Sequence, residues 1–296
     1  MRLSCTASRE AELSSILRRE LGLSAGLVKR LKWQPAALTV NGEPAHTNRL
    51  VLPGDLVAAE IDEQAEGYPA EDGPLELLYE DEYLLALDKP AGILVHPSPR
   101  RNEGTLANYL AGYYARTGQR CAVHAVTRLD RDTMGVSLFA KNAFVQEKFR
   151  RMLEAGELHK TYLAAVFGCP AAPSGTIDLP VWKPPGGTLV REVDARGQRA
   201  VTDYRVLEAS GGTALLELSP RTGRTHQLRL HCLASGWPIL GDPQYATPAS
   251  RAFSDRAGLH TQQLAAVRLA FSHPATGAPL VLRSRLGVKR PDSTDG

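Results

Sequence analysis

The strongest constraint on the fold comes from residues 126–141, which read VTRLDRDTMGVSLFAK. Apolar residues alternate with other residues at Val136, Leu138 and Ala140. This period of two predicts a half-buried strand, and the turn that ends at Gly135 places Asp130 on a loop at the mouth of that strand. Loops held by rigid strands concentrate functional residues, so Asp130 is a candidate functional carboxylate. From this stretch alone, a structural ion pair with Arg128 or Arg131 is the favoured interpretation.

A short polar segment divides the chain of 296 residues into two unequal parts. Residues 65–74, AEGYPAEDGP, are rich in glycine, proline and acids and show no apolar periodicity, which is typical of a linker. We therefore predict a small domain over residues 1–66, a linker over 67–74 and a larger domain over 75–290, with a frayed tail at 291–296. A chain of this length can bury a substantial core.

The composition is that of an ordinary globular protein, with 43% hydrophobic and 23% charged residues. The net charge of +3 permits a nucleic-acid partner without requiring one, because a local basic patch matters more than a small excess. No stretch reaches the roughly 20 apolar residues that a membrane span needs, and the N-terminus lacks a secretory apolar core, so we expect a cytoplasmic protein. The four cysteines lack paired spacing and predict neither a disulfide framework nor a zinc site.

The first part of the chain predicts two short helices followed by strands. Apolar residues at helical spacing mark residues 9–22, and Ser24 is a suitable cap for a second helix over 24–32. Strands are predicted at residues 37–40 and 56–61. The second helix carries Lys29 and Arg30 on a basic side, which can follow RNA phosphates, and a solvated charged face is the alternative.

The second part of the chain predicts an α+β domain. A helix over 105–117 precedes the Asp130 loop, and Asn142 can cap a helix after the central strand. We expect this helix to return the chain so that the next strand, 161–167, lies beside the strand after Asp130, with Tyr162 within reach of the carboxylate. Further strands are predicted at 75–79, 83–87, 203–207, 213–218, 265–271 and 280–283, with a helix from 225 to about 235.

Three segments of this second part resemble a known family. Residues 128–133, RLDRDT, are followed by Gly135, and Lys160-Thr161-Tyr162 and the block 221–231, RTGRTHQLRLH, come later in the same order. These motifs resemble those of the RluA-type pseudouridine synthases. The runs 88–92, DKPAG, and 240–242, LGD, the latter with Tyr245, agree with the resemblance, which extends over roughly residues 75–290.

The resemblance implies a fold and an activity. It implies a mainly antiparallel, curved mixed sheet with flanking helices and RNA in a basic cleft, and the isomerisation of uridine to pseudouridine in RNA, which needs no cofactor and no metal. Asp130 is then the essential carboxylate, either as nucleophile or as the base that withdraws a ribose proton. Arg229 is implied as its partner, whose guanidinium fork can hold both carboxylate oxygens. Tyr162 is implied as an active-site tyrosine, whereas a buried core tyrosine is the alternative that the residues alone favour.

The resemblance also implies how RNA is held. A uridine inside folded RNA must be turned out of its stack, and Arg128 matches a residue that can enter the vacated space. Arg221 and Arg224 stand at the start of the predicted 225 helix, where cations and free N–H groups suit phosphates. His226 and His231 are interpreted as structural members of that block.

The predicted N-terminal domain, with its basic helix, resembles the small RNA-binding domain of a small-subunit ribosomal protein that many pseudouridine synthases carry. Family members with this extra domain commonly act on ribosomal RNA of the large subunit, which is the favoured substrate, and tRNA is the second possibility. We expect no obligatory protein partner. Thr127 and Met134 depart from the histidine and serine common in relatives, and we expect activity to survive both.

Two alternatives come from other classes of protein. The first is a catalytically idle RNA-binding or ribosome-assembly factor, which has no use for the set Asp130, Tyr162 and Arg229. The second is a metal-dependent nuclease, which needs clustered carboxylates or histidines that the sequence does not show at persuasive spacing.

Overall fold

The structure, a computed structural model, describes residues 1–63, 68–98, 101–186 and 189–291. Within these residues the fold is α+β, as predicted, with six helices and two main sheets. Residues 292–296 of the predicted tail lie outside the described residues. So does residue 67, the first of the predicted linker. None of the described helices is long and apolar enough to cross a membrane.

The N-terminal part forms a small sheet with two short helices on it. Its elements are β1 (Arg2–Thr6), β2 (Ala11–Glu12), α1 (Leu13–Arg19), α2 (Ala25–Leu31), β3 (Leu38–Val40), β4 (Glu43–Pro44), β5 (Leu50–Val51) and β6 (Leu56–Glu60). Four strands pair in the order β1-β6-β3-β4, and β2 pairs with β5 in a separate ribbon. The predicted cap of α2 is confirmed, because the Ser24 hydroxyl accepts a hydrogen bond of 3.2 Å from the Leu27 N–H. The first helix is shorter than predicted, because Ala11 and Glu12 pair as β2.

The second part is built on one ten-stranded sheet. Its elements are β7 (Leu77–Glu80), β8 (Leu84–Lys89), α3 (Leu106–Thr117), β9 (His124–Ala125), β10 (Met134–Ala140), α4 (Ala143–Ala155), β11 (His159–Phe167), β12 (Ser174–Asp178), β13 (Val181–Trp182), β14 (Glu192–Val193), β15 (Val201–Ser210), β16 (Thr213–Pro220), α5 (Gln227–Ala234), α6 (Pro248–Arg256), β17 (Leu264–Ser272) and β18 (Pro279–Arg283). The order is β12-β15-β16-β11-β17-β10-β8-β7, with β9 on β10 and β18 on β17.

The predicted neighbour of the central strand is wrong. β17 lies between β10 and β11, parallel to β10 and antiparallel to β11. It joins the sheet from about 120 residues further along the chain than β10, so no local pattern indicates it. Gly135 and Tyr162 both pair with Ala266 of β17, which places them in one row across three strands. Only glycine fits at 135, since its φ is +106° and a Cβ there would lie 2.2 Å from the Ala266 carbonyl oxygen.

The prediction that β10 is half buried is also wrong, because β10 is buried on both faces. Phe139 packs into one hydrophobic cluster with α3 and with Leu85 and Leu87 of β8. Val136, Leu138 and Ala140 pack into another cluster, which includes α4 and the apolar residues of α1, α2 and β6. We call the first side the front face of the sheet and the second side the back face. The N-terminal part therefore docks on the back face and covers a side that the sequence pattern leaves open.

Polar contacts accompany this docking. The Glu63 carboxylate accepts a hydrogen bond of 2.7 Å from the Ala143 N–H at the start of α4, and it pairs with Arg30 of α2 and with His124. Next to it in sequence, the described residues of the predicted linker lie against α3, where the Glu71 N–H donates to the Asn108 carbonyl at 3.2 Å. The two parts of the chain thus share both a core and an ion-pair network.

Candidate active site

The loop that carries Asp130 is fastened at several points. The Leu138 N–H donates to the Thr127 hydroxyl at 2.9 Å, and the Thr133 N–H donates to the Asp130 carbonyl at 3.2 Å. Met134 is the first residue of β10 and directly follows this turn. These bonds hold the Asp130 backbone just before the start of β10, where its side chain stays 27% exposed.

Lys89 supports the same loop from the end of β8. Its ammonium group is fully buried and donates to the Arg131 carbonyl at 2.7 Å and to the Pro90 carbonyl at 2.9 Å. Burial lowers the pKa of Lys89 to about 8, although the charges of Asp132 and Asp130 oppose this shift. In the sequence, the run DKPAG served only as support for the resemblance and Lys89 was given no role, although the lysine in that run was the available signal.

Arg229 of α5 joins two carboxylates. Its Nη1 donates to Asp130 Oδ2 at 3.1 Å, whereas Nε and Nη2 donate to the two oxygens of Asp242 at 2.6 and 2.8 Å. The fork therefore grips Asp242, and the expectation that it holds both oxygens of Asp130 is wrong. Because the fork of Arg229 is taken up by Asp242, Asp130 has one oxygen that Arg229 does not hold.

Asp242 is a site residue to which sequence reasoning gave no role. Its carboxylate is wholly buried and also accepts from the backbone N–H groups of Gln244 and Tyr245, at 2.9 and 3.0 Å. Burial alone would raise the pKa of Asp242, but the hydrogen bonds and charge of Arg229 and these two N–H groups lower it. The available signal was the run LGD with Tyr245 three residues later.

Tyr162 lies in β11 with its ring in the front hydrophobic cluster and 9% of its surface exposed. Burial, and after it the charge of Asp130, raises the pKa of Tyr162, so the hydroxyl stays protonated at neutral pH. The charge of Asp130 thus acts on the Tyr162 hydroxyl, although β17 lies between β10 and β11.

His226, which was interpreted from the sequence as a structural member of its block, lies close to Asp130. It immediately precedes α5, and its Nε2 lies 3.9 Å from Asp130 Oδ2. Its Nδ1 lies 2.9 Å from the Tyr245 hydroxyl. His231, by contrast, is fully buried between the Thr202 hydroxyl and the Leu179 carbonyl, as expected of a structural residue.

The predicted RNA contacts fall into three places. Arg128 is exposed beside the site, and after burial its charge lowers the pKa of both His96 and Lys160. Arg221 gives its fork to Asp203 at 2.7 and 2.8 Å, and Arg224 Nε donates to the Arg199 carbonyl at 3.3 Å. The remaining two, Lys29 and Arg30, are exposed on α2 of the N-terminal part, with Arg30 paired to Glu63.

Comparisons with known proteins agree with the fold and motifs. The family model for RNA pseudouridylate synthase matches residues 83–234. An uncharacterized RNA pseudouridine synthase of Bacillus subtilis, YjbO, is 36% identical over 259 residues, covering 87% of this chain and 89% of that protein. The ribosomal large subunit pseudouridine synthase D of Escherichia coli is 36% identical over 236 residues, which are 77% of this chain and 72% of the relative. The solved structure of human RNA pseudouridylate synthase domain containing 4 has a TM-score of 0.57 at 25% identity and covers 71% of this chain and 88% of its own.

The fold and these matches define the chain as an RNA pseudouridine synthase, an isomerase that acts on RNA. It belongs to the RluA-type family of these enzymes, as its motifs predicted.

Proposed function

We propose that Asp130 is the essential carboxylate of uridine isomerisation, that the target uridine is turned out of its stack to reach it, and that the RNA is ribosomal RNA of the large subunit. The single observation that carries the catalytic part is the arrangement around Arg229, with its fork on buried Asp242 and one hydrogen bond of 3.1 Å to half-buried Asp130. A carboxylate so held is oriented and accessible, which both nucleophilic attack and proton abstraction require.

Tyr162 fits the part of an acid–base or stacking group. Its ring lies in the front cluster, and burial together with the charge of Asp130 raises the pKa of Tyr162, so the hydroxyl keeps its proton. A protonated phenol can donate to ribose or ring atoms as their charge changes during the reaction, and the ring face offers a surface for the uracil.

Arg128 fits the part of the residue that replaces the extruded base. It is exposed two residues before Asp130, beside the cation of Lys160. A guanidinium plane can stack between bases while its charge meets phosphates, which offsets part of the few kcal/mol that unstacking costs. Arg221 and Arg224 supply further positive charge near the start of α5.

The substrate proposal rests on the relatives and on the N-terminal part. Four relatives at 34–37% identity are named ribosomal large subunit pseudouridine synthase D. We propose that residues 1–66 are an RNA-binding domain that uses Lys29 and Arg30 of α2, and that residues 75–290 carry the catalysis. With ribosomal RNA as substrate, we expect the enzyme to act in the cytoplasm.

The test is release of tritium from RNA labelled at carbon 5 of uridine, prepared from a strain that lacks this protein. We expect release by the wild type and a loss of at least about a thousandfold for Asp130→Asn, because the residue that performs the chemistry is removed. Asp255→Asn, an exposed carboxylate on α6, is the matched control and should retain the wild-type rate.

The outcomes separate the alternatives. Equal release by wild type and Asp130→Asn would mean that another residue performs the chemistry. No release by either, while both bind RNA, would favour a binding role. Separate assays of large-subunit ribosomal RNA and tRNA decide between the two substrates, since release from tRNA alone would contradict the ribosomal proposal.

A further inference from the structure

His226 occupies a position that its backbone does not favour. Its φ is +59°, in the left-handed region that residues other than glycine rarely adopt, and its side chain is only 13% exposed. Residues kept in such conformations concentrate at functional sites, because the surrounding structure must hold them there. The imidazole Nε2 lies 3.9 Å from the same oxygen of Asp130 that Arg229 binds.

The Tyr245 hydroxyl determines which imidazole nitrogen carries the hydrogen. This hydroxyl lies in a residue that is 2% exposed, and it accepts a hydrogen bond of 2.6 Å from the Arg191 N–H. Its other described contact is with His226 Nδ1 at 2.9 Å. Of these two partners, the Arg191 N–H can only donate, so Nδ1 is the one that can accept the hydroxyl hydrogen. Tyr245 therefore donates to Nδ1, and the hydrogen of the neutral ring is on Nε2, toward Asp130.

The surroundings also favour the neutral ring. Burial lowers the pKa of His226, and the nearby cations of Arg229 and Arg191 lower it further, while Asp130 and Asp242 act in the opposite direction. The net shift is downward, so the imidazole is uncharged at neutral pH. Asp130 thus faces a neutral N–H donor of fixed tautomer on one side and the Arg229 cation on another.

We propose that His226 is a positioning residue for the reaction, a neutral Nε2–H donor that holds Oδ2 of Asp130 together with Arg229 and leaves Oδ1 to act on the target uridine. The inference rests on the proposed function of Asp130. The distance of 3.9 Å is longer than a hydrogen bond, and such contacts shorten when substrate fills an active site. Tyr245 also joins the backbone next to β14 to this network through Arg191.

The first test reads the histidine tautomer without any assay of activity. Long-range nitrogen–proton NMR on the full-length protein at pH 7 should show His226 neutral with its hydrogen on Nε2, and Tyr245→Phe should shift the ring toward the other tautomer. His231 is the internal control, because its contacts with Thr202 and Leu179 are independent of Tyr245. A cationic ring, or a hydrogen on Nδ1 in the wild type, would overturn the proposal.

The second test reads the effect on turnover. His226→Asn retains a residue that tolerates the left-handed backbone, and we expect kcat for tritium release to fall about ten- to a hundredfold, with KM within a factor of two, since one hydrogen bond to a charged group is lost. Arg191→Met keeps the backbone N–H that donates to Tyr245 but removes a cation that lowers the pKa of His226. The pKa of His226 should therefore rise, and the acid limb of the pH profile of kcat should move to higher pH. A purely structural role would leave that limb in place.

The result that overturns the proposal is an active wild type whose kcat and acid limb are matched by folded His226→Asn and Tyr245→Phe. Failure of the proposed function looks different, because the wild type itself would then release no tritium from any RNA. Melting curves identify a variant that has lost its fold, and the Tyr245→Phe protein, which keeps the aromatic ring against Arg229, then supplies the decisive comparison.

Discussion

The two faces of the central sheet are lined by the same strands, but the groups at their margins differ. Alternate residues of β8 and β10 point to the back face, where the N-terminal part and α4 complete an apolar cluster. The residues between them point to the front face, where α3 and the segments around the site complete another. The back cluster is completed by apolar side chains. The front cluster is bordered at the strand ends by the charged side chains of Lys89, Asp130, Arg229 and Asp242.

The difference shows where stability and chemistry are separated. Apolar burial on the back face stabilises the fold in proportion to the area removed from water. Buried ions on the front face cost desolvation that their pairing only partly offsets, so stability alone does not explain them. We infer that the front face keeps its ions for the reaction, while the docked N-terminal part supplies a core that tolerates them.

The largest expected effect is from Asp242→Asn on the front face. The change leaves the nearly buried Arg229 cation without its fork partner, and removal of one member of a buried pair costs about 3–5 kcal/mol. Chemical denaturation at neutral pH measures this, and tritium release should fall as well because Arg229 is no longer oriented. The control is Asp203→Asn, which breaks a fork of similar geometry with Arg221 at the surface and should leave the unfolding midpoint close to wild type.

The same variant has a pH signature. Since the folded-state pKa of Asp242 is lowered, its contribution to stability is present above the unfolded value of about 3.9 and is lost as pH falls through the folded value. The difference in unfolding free energy between wild type and Asp242→Asn should therefore narrow below about pH 4. A difference that stays constant into acid would show that the carboxylate charge is not what stabilises the site.

The sequence was sufficient for the elements and motifs that depend on neighbouring residues. Ser24, Asn142 and the alternating apolar residues predicted helices and strands close to those found. It was insufficient where a segment far away in the chain determines strand order or burial. The insertion of β17 beside β10 and the burial of the β10 back face by residues 1–61 both arise from contacts far apart in the chain.

The site divides in the same way. Asp130, Tyr162 and Arg229 were singled out by motifs, and the structure brings them together. Asp242 and Lys89 were given no part in the site and His226 was interpreted as structural, because the contacts that place these residues at the site come from other elements of the fold. α6 was also missed, although Thr247 caps it and proline follows at its first position, which is a typical helix start.

The next effect belongs to the back face. Leu138→Ala removes a fully buried side chain from the cluster shared with the N-terminal part, and we expect a loss of about 3 kcal/mol in unfolding free energy. Turnover per folded molecule should be unchanged, because the front face keeps its geometry. Val281→Ala, at a residue 45% exposed, is the control and should have little effect on either quantity. A large loss of turnover in folded Leu138→Ala would mean that the faces are not separate.

The smallest effect has the opposite sign and concerns Ser137, which lies on β10 between the back-face residues and pairs with Leu87 of β8. Its hydroxyl is fully buried and has no hydrogen-bond partner among the described residues. Burial of an unpaired hydroxyl costs about 1–3 kcal/mol, and a lost oxygen leaves only a small cavity. We therefore expect Ser137→Ala to raise the unfolding free energy by about 1 kcal/mol without changing tritium release.

Thr127→Val is the matched control for Ser137→Ala, since that hydroxyl accepts from the Leu138 N–H at 2.9 Å and its removal leaves a buried donor unpaired. Its unfolding free energy should fall by about 1 kcal/mol or more. Opposite signs for these two buried hydroxyls would show that hydrogen-bond pairing, and not polarity, decides how a buried hydroxyl changes stability. If Ser137→Ala were instead destabilised, the hydroxyl would have a partner such as an ordered water, and the front face would carry a polar contact inside its core as well as at its edge.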